Sequence, residues 1–151
     1  VSAAAWNTHY VKYNNIKTVE FLFSDLTKSH DMMVQSFQKK ITSRGEVSFM
    51  IIGGSFSHAV LKMAKKGDFR VQDDFGGTVS MYVPEKREID FALYAVSKLP
   101  SKPAYARVDV IIDNNDNLAL SELELIEPEM WFRLRPESAR CLAKYIRDNL
   151  V

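Results

Sequence analysis

The stretch Tyr105–Pro128, YARVDVIIDNNDNLALSELELIEP, constrains the fold more than any other part of the chain. Its two arms alternate polar and apolar residues with the period of a strand. The run Asp113-Asn114-Asn115-Asp116-Asn117 between them is made of turn formers, so the stretch predicts a β-hairpin. With Asp113 opposite Leu118 across a four-residue loop, Ile111 faces Leu120, Asp109 faces Glu122 and Arg107 faces Glu124. Three carboxylates and one guanidinium then share one side of the sheet.

Carboxylates directly across a ladder repel one another, and such a pair among Leu, Val and Ile calls for a cation or a shared proton. Two readings are open at this point. Asp109, Glu122 and Glu124 can hold a divalent metal of the Mg²⁺ or Mn²⁺ type, which takes oxygen ligands and completes its shell with water and phosphate. Alternatively, they are a solvated face whose charges pair with Arg107 or with lysines elsewhere. A register slip of one residue would scatter them to opposite faces.

Other signals set the surrounding elements. Glu46 to Ile52 and Ser55 to Met63 flank Gly53-Gly54, a pair suited to a tight hairpin turn. Val47, Phe49 and Ile51 alternate on the first arm, and Phe56, His58, Val60 and Lys62 share a face on the second. Thr78 to Val83 reads as a strand. Glu85 to Leu99 reads as a helix, with Ile89, Ala92, Leu93, Val96 and Leu99 at helical spacing and Pro100 and Pro103 ending it. Pro136 opens a last helix with the stripe Ala139, Leu142, Ala143, Ile146 and Leu150. Ile16 to Leu26 is ambiguous between helix and buried strand, Met32 to Phe37 reads as a short buried strand, and the residues before Asn15 include a possible strand. The expected fold class is α+β, an antiparallel sheet with both helices covering one face.

Between Lys62 and Thr78 the periodicity stops. Lys62, Lys65, Lys66 and Arg70 precede Gly76-Gly77, a composition that serves either a polyphosphate cradle, in which glycines let backbone amides approach the oxygens, or an ordinary surface loop.

Size and charge narrow the function classes. A chain of 151 residues is one domain's worth, able to bury roughly 70% of its unfolded surface. Its 20 basic and 19 acidic side chains produce no bulk field, which argues against a nucleic-acid or membrane partner. Nucleic-acid binding through the basic segment with Phe69 stacking would carry a steep salt slope. The single cysteine, Cys141, allows no internal disulfide or cysteine-rich zinc site and suits a reducing cytoplasm. Cys141 reads as packed, and Trp6 and Trp131 as packing residues. His9, His30 and His58 lack zinc-ligand spacing. No apolar run or leader pattern suggests a membrane span or signal peptide. Opening on Val1 rather than Met, the chain reads as a cut from a longer protein.

The segments SFSHAVLKMAKKGDFRVQDDFGG, YARVDV and LSELELIEPEMWFR, with Val34, Gln35 and Phe37 ahead of them, resemble the C-terminal part of the ATP-grasp carboxylate-amine ligases. The nearest branch is that of bacterial glutathione synthetase, the ribosomal-protein glutamate ligases and the D-cycloserine-forming ligase, and the resemblance runs over nearly all of Met33 to Ile146. It implies that the whole chain is the C-terminal part of one ATP-grasp domain. The N-terminal domain and part of the other ATP-binding lobe, with its further lysine, would lie before Val1. It also implies ATP and Mg²⁺ (or Mn²⁺) as cofactors and small-molecule carboxylate and amine substrates. The chemistry is carboxylate-amine (or carboxylate-thiol) ligation through an acyl phosphate, in an isolated fragment that is incomplete or inactive. The alternative is a nucleotide-binding or interaction module of the same fold without turnover. Site residues follow position by position: Val34, Gln35 and Phe37 at the adenine edge; Lys62, Arg70, Gly76 and Gly77 on the triphosphate; Asp109, Glu122 and Glu124 on metal. Arg70 would act on phosphate, Arg107 would orient Glu124 or touch phosphate, and Arg133 would grip an acceptor carboxylate.

Overall fold

In the computed structural model, the described residues are 8–65, 67, 68, 70, 71 and 76–150, the side chains of 13, 18 and 150 excepted. The chain forms two compact units, Val1–Phe37 and Gln38–Val151.

In the first unit, a 3-10 turn at Tyr13–Asn15 leads into helix α1, Ile16–Leu26. The ambiguity over this segment thus resolves to helix, and residues 8–12 form no strand. Met32 to Phe37 is not a buried strand either. It carries no ladder, and Met33 and Val34 are 84% and 81% exposed. A run of apolar residues becomes a strand only where a neighbouring strand takes its backbone groups, and none pairs with it among the described residues. Phe37 is half-buried and packs its ring on Tyr10 at 4.3 Å.

The second unit is a five-stranded antiparallel sheet in the order β3-β2-β1-β4-β5. The strands are β1 (Glu46–Ile52), β2 (Ser55–Met63), β3 (Thr78–Tyr82), β4 (Tyr105–Ile112) and β5 (Leu118–Glu124). A short helix α2 (Ile41–Arg44) precedes β1, α3 (Lys86–Ser97) lies between β3 and β4, and α4 (Pro136–Leu150) ends the chain. Glu85 caps α3 by exchanging side-chain and backbone bonds with Glu88, which satisfies two amides that a helix start would otherwise leave open.

The antiparallel α+β class is the one the sequence predicts, but α3 and α4 cover opposite faces of the sheet rather than the same one. Phe49, Ile51, Ala59, Ala106, Val108 and Val110 form one core layer with Ala92 and Val96 of α3. Met50, Ile52, Val60, Met130 and Trp131 form the other, joined by Leu142 and Tyr145 of α4. Strand alternation forces this division. The α3 side of β1 and β4 is apolar throughout, and the other side is apolar in part through Met50 and Ile52, so each face needs its own cover. The buried stripe of α4 is rotated from the expected one, since Ser138, Leu142 and Tyr145 turn inward while Ala143 and Ile146 are exposed. Cys141 is exposed as well, against the expectation that it packs.

Two β-bulges set the register. In the first hairpin, Ile52 pairs with Ser55 and Ile51 with Phe56, but Met50 pairs with His58, which leaves Ser57 as the extra residue. This places Phe56 with Phe49 and Ile51 in the α3-side layer. His58, Val60 and Lys62 alternate on the opposite face, so Phe56 does not share theirs. In the second hairpin, Ile112, Ile111 and Val110 pair with Leu118, Ala119 and Leu120, one residue away from the expected register. An extra residue at Ser121 then restores Asp109 opposite Glu122 and Arg107 opposite Glu124. At the tip, the Asp113 carboxylate accepts the Asn115 and Asn117 amides, both at 2.8 Å. Those bonds hold its pKa below the usual carboxylate value.

Candidate functional site

The face away from α3 carries the charged residues, and the ladder pairs fix their rows. One row runs Val60, Ser48, Asp109, Glu122 across β2, β1, β4 and β5; the next runs His58, Met50, Arg107, Glu124; Lys62 stands opposite Glu46. Lys62 on β2 and Asp109 on β4 are two strands apart, about 9.6 Å at the usual spacing. A lysine can span that gap only because the intervening residue, Ser48, is small. Lys62 Nζ donates to Asp109 Oδ2 at 3.1 Å and also pairs with Glu46.

Arg107 gathers the rest. Its Nε donates to Asp109 Oδ1 at 3.0 Å and its Nη2 to Asp109 Oδ2 at 2.9 Å; Nη2 also stands 2.7 Å from Glu124 and 3.6 Å from Glu122. The Asp109 side chain is 1% exposed, that of Glu124 29% and that of Glu122 55%. The site therefore grades from a buried ion cluster at Asp109 to open carboxylates at the edge strand.

The electrostatics follow from this layering. Burial opposes the Arg107 charge, yet Asp109, Glu124 and Glu122 outweigh it and raise the guanidinium pKa. Glu122 is raised too, first by desolvation and then by repulsion from Glu124 and Asp109, with Arg107 pulling the other way. Four carboxylates (Glu46, Asp109, Glu122, Glu124) surround two cations (Lys62, Arg107), which leaves an excess of two negative charges. Among the described residues no three His, Cys, Asp or Glu side chains are disposed to hold a metal ion together; the three hairpin acids converge on Arg107 instead.

The structure thus brings together Lys62, Arg107, Asp109, Glu122 and Glu124. Arg70 pairs with Asp68, Nη2 to Oδ2 at 2.8 Å, and that bond raises its pKa. Gly76 has φ +77° and Gly77 leads into β3. Lys66 and Phe69 lie outside the described residues. Arg133 pairs with Glu129 at 3.3 Å, both about half exposed. Val34, Gln35 and Phe37 belong to the first unit.

Three members were not foreseen. Glu46 opens β1 opposite Lys62, a pairing hidden by the bulge at Ser57, because a plain two-residue hairpin puts Leu61 there. Ser48 matters by its smallness. Trp131, 5% exposed, lies over both cations, its ring centroid 5.4 Å from Arg107 Cζ and 5.7 Å from Lys62 Nζ. Its nearness to the LSELELIEP arm was the available signal.

Residues 12–127 match the model of the RimK-like ATP-grasp domain. The chain belongs to that family. Among solved structures it is similar to D-cycloserine synthetase, with 20% identity over 78% of this chain and 42% of that one, at a TM-score of 0.65. It is also similar to D-alanine–D-alanine ligase from Bacillus anthracis complexed with ATP, with 14% identity over 94% of this chain and 56% of that one, at a TM-score of 0.55. These likenesses show a shared ATP-grasp fold, and the chain spans about half the length of the structures it matches. No curated protein matches it in sequence. No helix among the described residues is long and apolar enough to cross a membrane.

Proposed function

We propose that this ATP-grasp chain is the metal- and γ-phosphate-handling part of a cytoplasmic carboxylate-amine ligase. The observation that supports it most is the buried cluster in which Lys62 and Arg107 are set among Asp109, Glu122 and Glu124. In the ligation, an oxygen of a substrate carboxylate attacks the γ-phosphorus of ATP. The bond to the β–γ bridging oxygen breaks with its electrons and leaves ADP. An amine then attacks the acyl carbon of the acyl phosphate, loses a proton, and phosphate departs.

The chain's own residues serve the first step. Lys62 and Arg107 are fixed donors of positive charge in a water-poor site, where charge developing on the transferring phosphoryl group is stabilised most. Neither cation reorganises to act, since each is already locked by carboxylates. Asp109, Glu122 and Glu124 keep the Mg²⁺-ligand role implied by the resemblance, and to fill it they would have to turn in part from Arg107, on which they converge here. Their oxygen donors and the cluster's two excess negative charges suit a hard divalent ion, which when bound would neutralise phosphate oxygens. Arg70, Gly76 and Gly77 keep the triphosphate role implied by the resemblance, Val34, Gln35 and Phe37 the adenine-edge role, and Arg133 the acceptor-carboxylate role.

The test is calorimetric titration of ATP with and without Mg²⁺, on the wild type and on Asp109→Asn and Glu122→Gln. Binding strengthened by Mg²⁺ in the wild type and deprived of that linkage in both variants supports the reading. Affinity indifferent to Mg²⁺ and to both substitutions points to a module that binds nucleotide without turnover. That second reading draws on the arrangement of the three acids around Arg107, which already neutralises them in part. ADP release in the presence of amino acids and other carboxylates then distinguishes an active fragment from an incomplete one.

A further inference from the structure

Trp131 occupies its place over Lys62 and Arg107 in spite of two local costs. Its φ is +45°, a region that a bulky side chain rarely adopts. Its buried indole N–H has no hydrogen-bond acceptor among the described residues. Strain of this kind persists only where the surroundings over-determine a conformation.

What over-determines it is the peptide linking Met130 to Trp131, held at both poles. The Trp131 backbone N–H donates to Glu129 Oε1 at 2.6 Å. The Met130 carbonyl, on the other side of the same peptide plane, lies 3.1 Å from His58 Nε2. A carbonyl only accepts, so Nε2 carries the proton, and in the neutral ring Nδ1 is then the acceptor. Nδ1 takes the Ser138 hydroxyl at 3.0 Å, and Ser57 Oγ donates to Ser138 Oγ at 2.7 Å. His58 is 2% exposed. Desolvation, partly opposed by the Met130 bond and assisted by Arg135, keeps its pKa below the ordinary histidine value. The groups around it are Met50 from β1, Ser57 from β2, Met130 from the segment before α4 and Ser138 from α4, none of them ionisable. Arg135 acts on it from just ahead of α4, Arg107 stands beyond Met50 in the same row, and Glu129 and Arg133 pair with each other.

We propose that His58 is a positioning residue: in its neutral form it pins the Met130–Trp131 peptide and so keeps the indole ring against Lys62 and Arg107, and its protonation releases that ring. A buried imidazolium has only hydroxyl oxygens for its Nδ1 proton, Ser57 Oγ at 3.2 Å or Ser138 Oγ once its hydrogen turns away, and it carries its charge desolvated beside Arg135. The consequence for phosphate binding rests on the function proposed above; the placement of Trp131 does not.

With Trp6→Phe as background, Trp131 is the sole tryptophan, and its emission maximum is followed from pH 8 to pH 4.5 alongside far-UV circular dichroism. The expected result is a red shift with a midpoint below 6.5, at constant helix signal. It vanishes in His58→Gln, whose amide can still donate to Met130 but does not titrate. In wild type the His58 ring resonances, followed by NMR over the same pH range, titrate with the midpoint of the emission. A shift that persists in His58→Gln, that coincides with loss of the helix signal, or that fails to occur at all overturns the proposal. Should His58→Gln not fold, a His58 resonance midpoint that departs from the emission midpoint overturns it alone. In a second arm, Mg·ATP affinity falls at least threefold across the same step in wild type and stays flat in His58→Gln. An absence of Mg·ATP binding at every pH counts against the proposed function while leaving the emission result to decide the role of His58.

Discussion

Removing the Arg107 guanidinium should destabilise the sheet more at neutral than at acid pH. In Arg107→Leu, Asp109 loses its bonds to the guanidinium and keeps Lys62, while Glu124 and Glu122 lose a counter-charge at 2.7 and 3.6 Å. Breaking a buried pair by taking one partner costs about 3–5 kcal/mol. The remaining Lys62 bond and the exposure of the two glutamates place the expected loss near the lower end, ~3 kcal/mol at pH 7. For a urea slope of about 1.5 kcal/mol/M, the midpoint moves down by roughly 2 M.

The pH dependence has a definite sign. Without Arg107, which pulls it down, Glu122, already raised in the wild type, titrates further above its unfolded value. The native state therefore binds more protons than the unfolded one in that window. The penalty is full above the raised Glu122 pKa and is relieved as pH falls through it. The sharpest form of the test adds Asp109→Asn. Alone, that change removes the anion that Arg107 and Lys62 share and destabilises the protein. In the Arg107→Leu background it removes a surplus buried negative charge while Lys62 retains Glu46, so there it stabilises. Urea titrations followed by circular dichroism at pH 5 and pH 7 measure all four proteins. A loss under about 1 kcal/mol, or Asp109→Asn destabilising in both backgrounds, would refute the picture of a buried cluster tuned around Arg107.

Two further changes probe the scaffold. Gly45→Ala places a methyl group against the Lys62 carbonyl and the Met63 sulfur at φ +71°, so thermal unfolding should show a loss of at least ~2 kcal/mol; a neutral result would mean that β2 yields there. Glu88→Gln should return Tyr82, raised by burial and then by the Glu88 carboxylate 3.1 Å away, toward the ordinary tyrosine range. Ultraviolet difference titration against Tyr82→Phe reads this, and an unmoved Tyr82 would leave burial alone as the cause.

The elements most legible in the sequence are those whose reasons are local. The arms around Gly53-Gly54, the helix over Glu85 to Leu99 and the hairpin that carries the acids all announce themselves through alternation, turn formers or helical spacing. The convergence of Arg107, Asp109, Glu122 and Glu124 on one face was likewise readable from strand period and register, whereas Lys62 joined them only through what the resemblance implied. What escaped depends on residues distant in sequence or on extra residues in a strand. Phe56 changed face, and Glu46 came opposite Lys62, because of Ser57, which no periodicity marks. His58 was set aside as a metal ligand and had no visible role, since its partners Met130 and Ser138 lie 72 and 80 residues away. Met32 to Phe37 has the composition of a strand, but composition cannot supply the neighbour that a strand requires.

The extra residue at Ser121 separates two properties that a regular hairpin ties together. In an unbroken ladder, lengthening the Asp113–Asn117 tip by one residue would swing every side chain of β5 to the opposite side. Here the mismatch is absorbed between Leu120 and Glu122, so the geometry of the turn and the aim of the acids can vary independently. A chain with a shorter or longer tip could present the same acids to Arg107 by losing or moving that one serine's worth of slack.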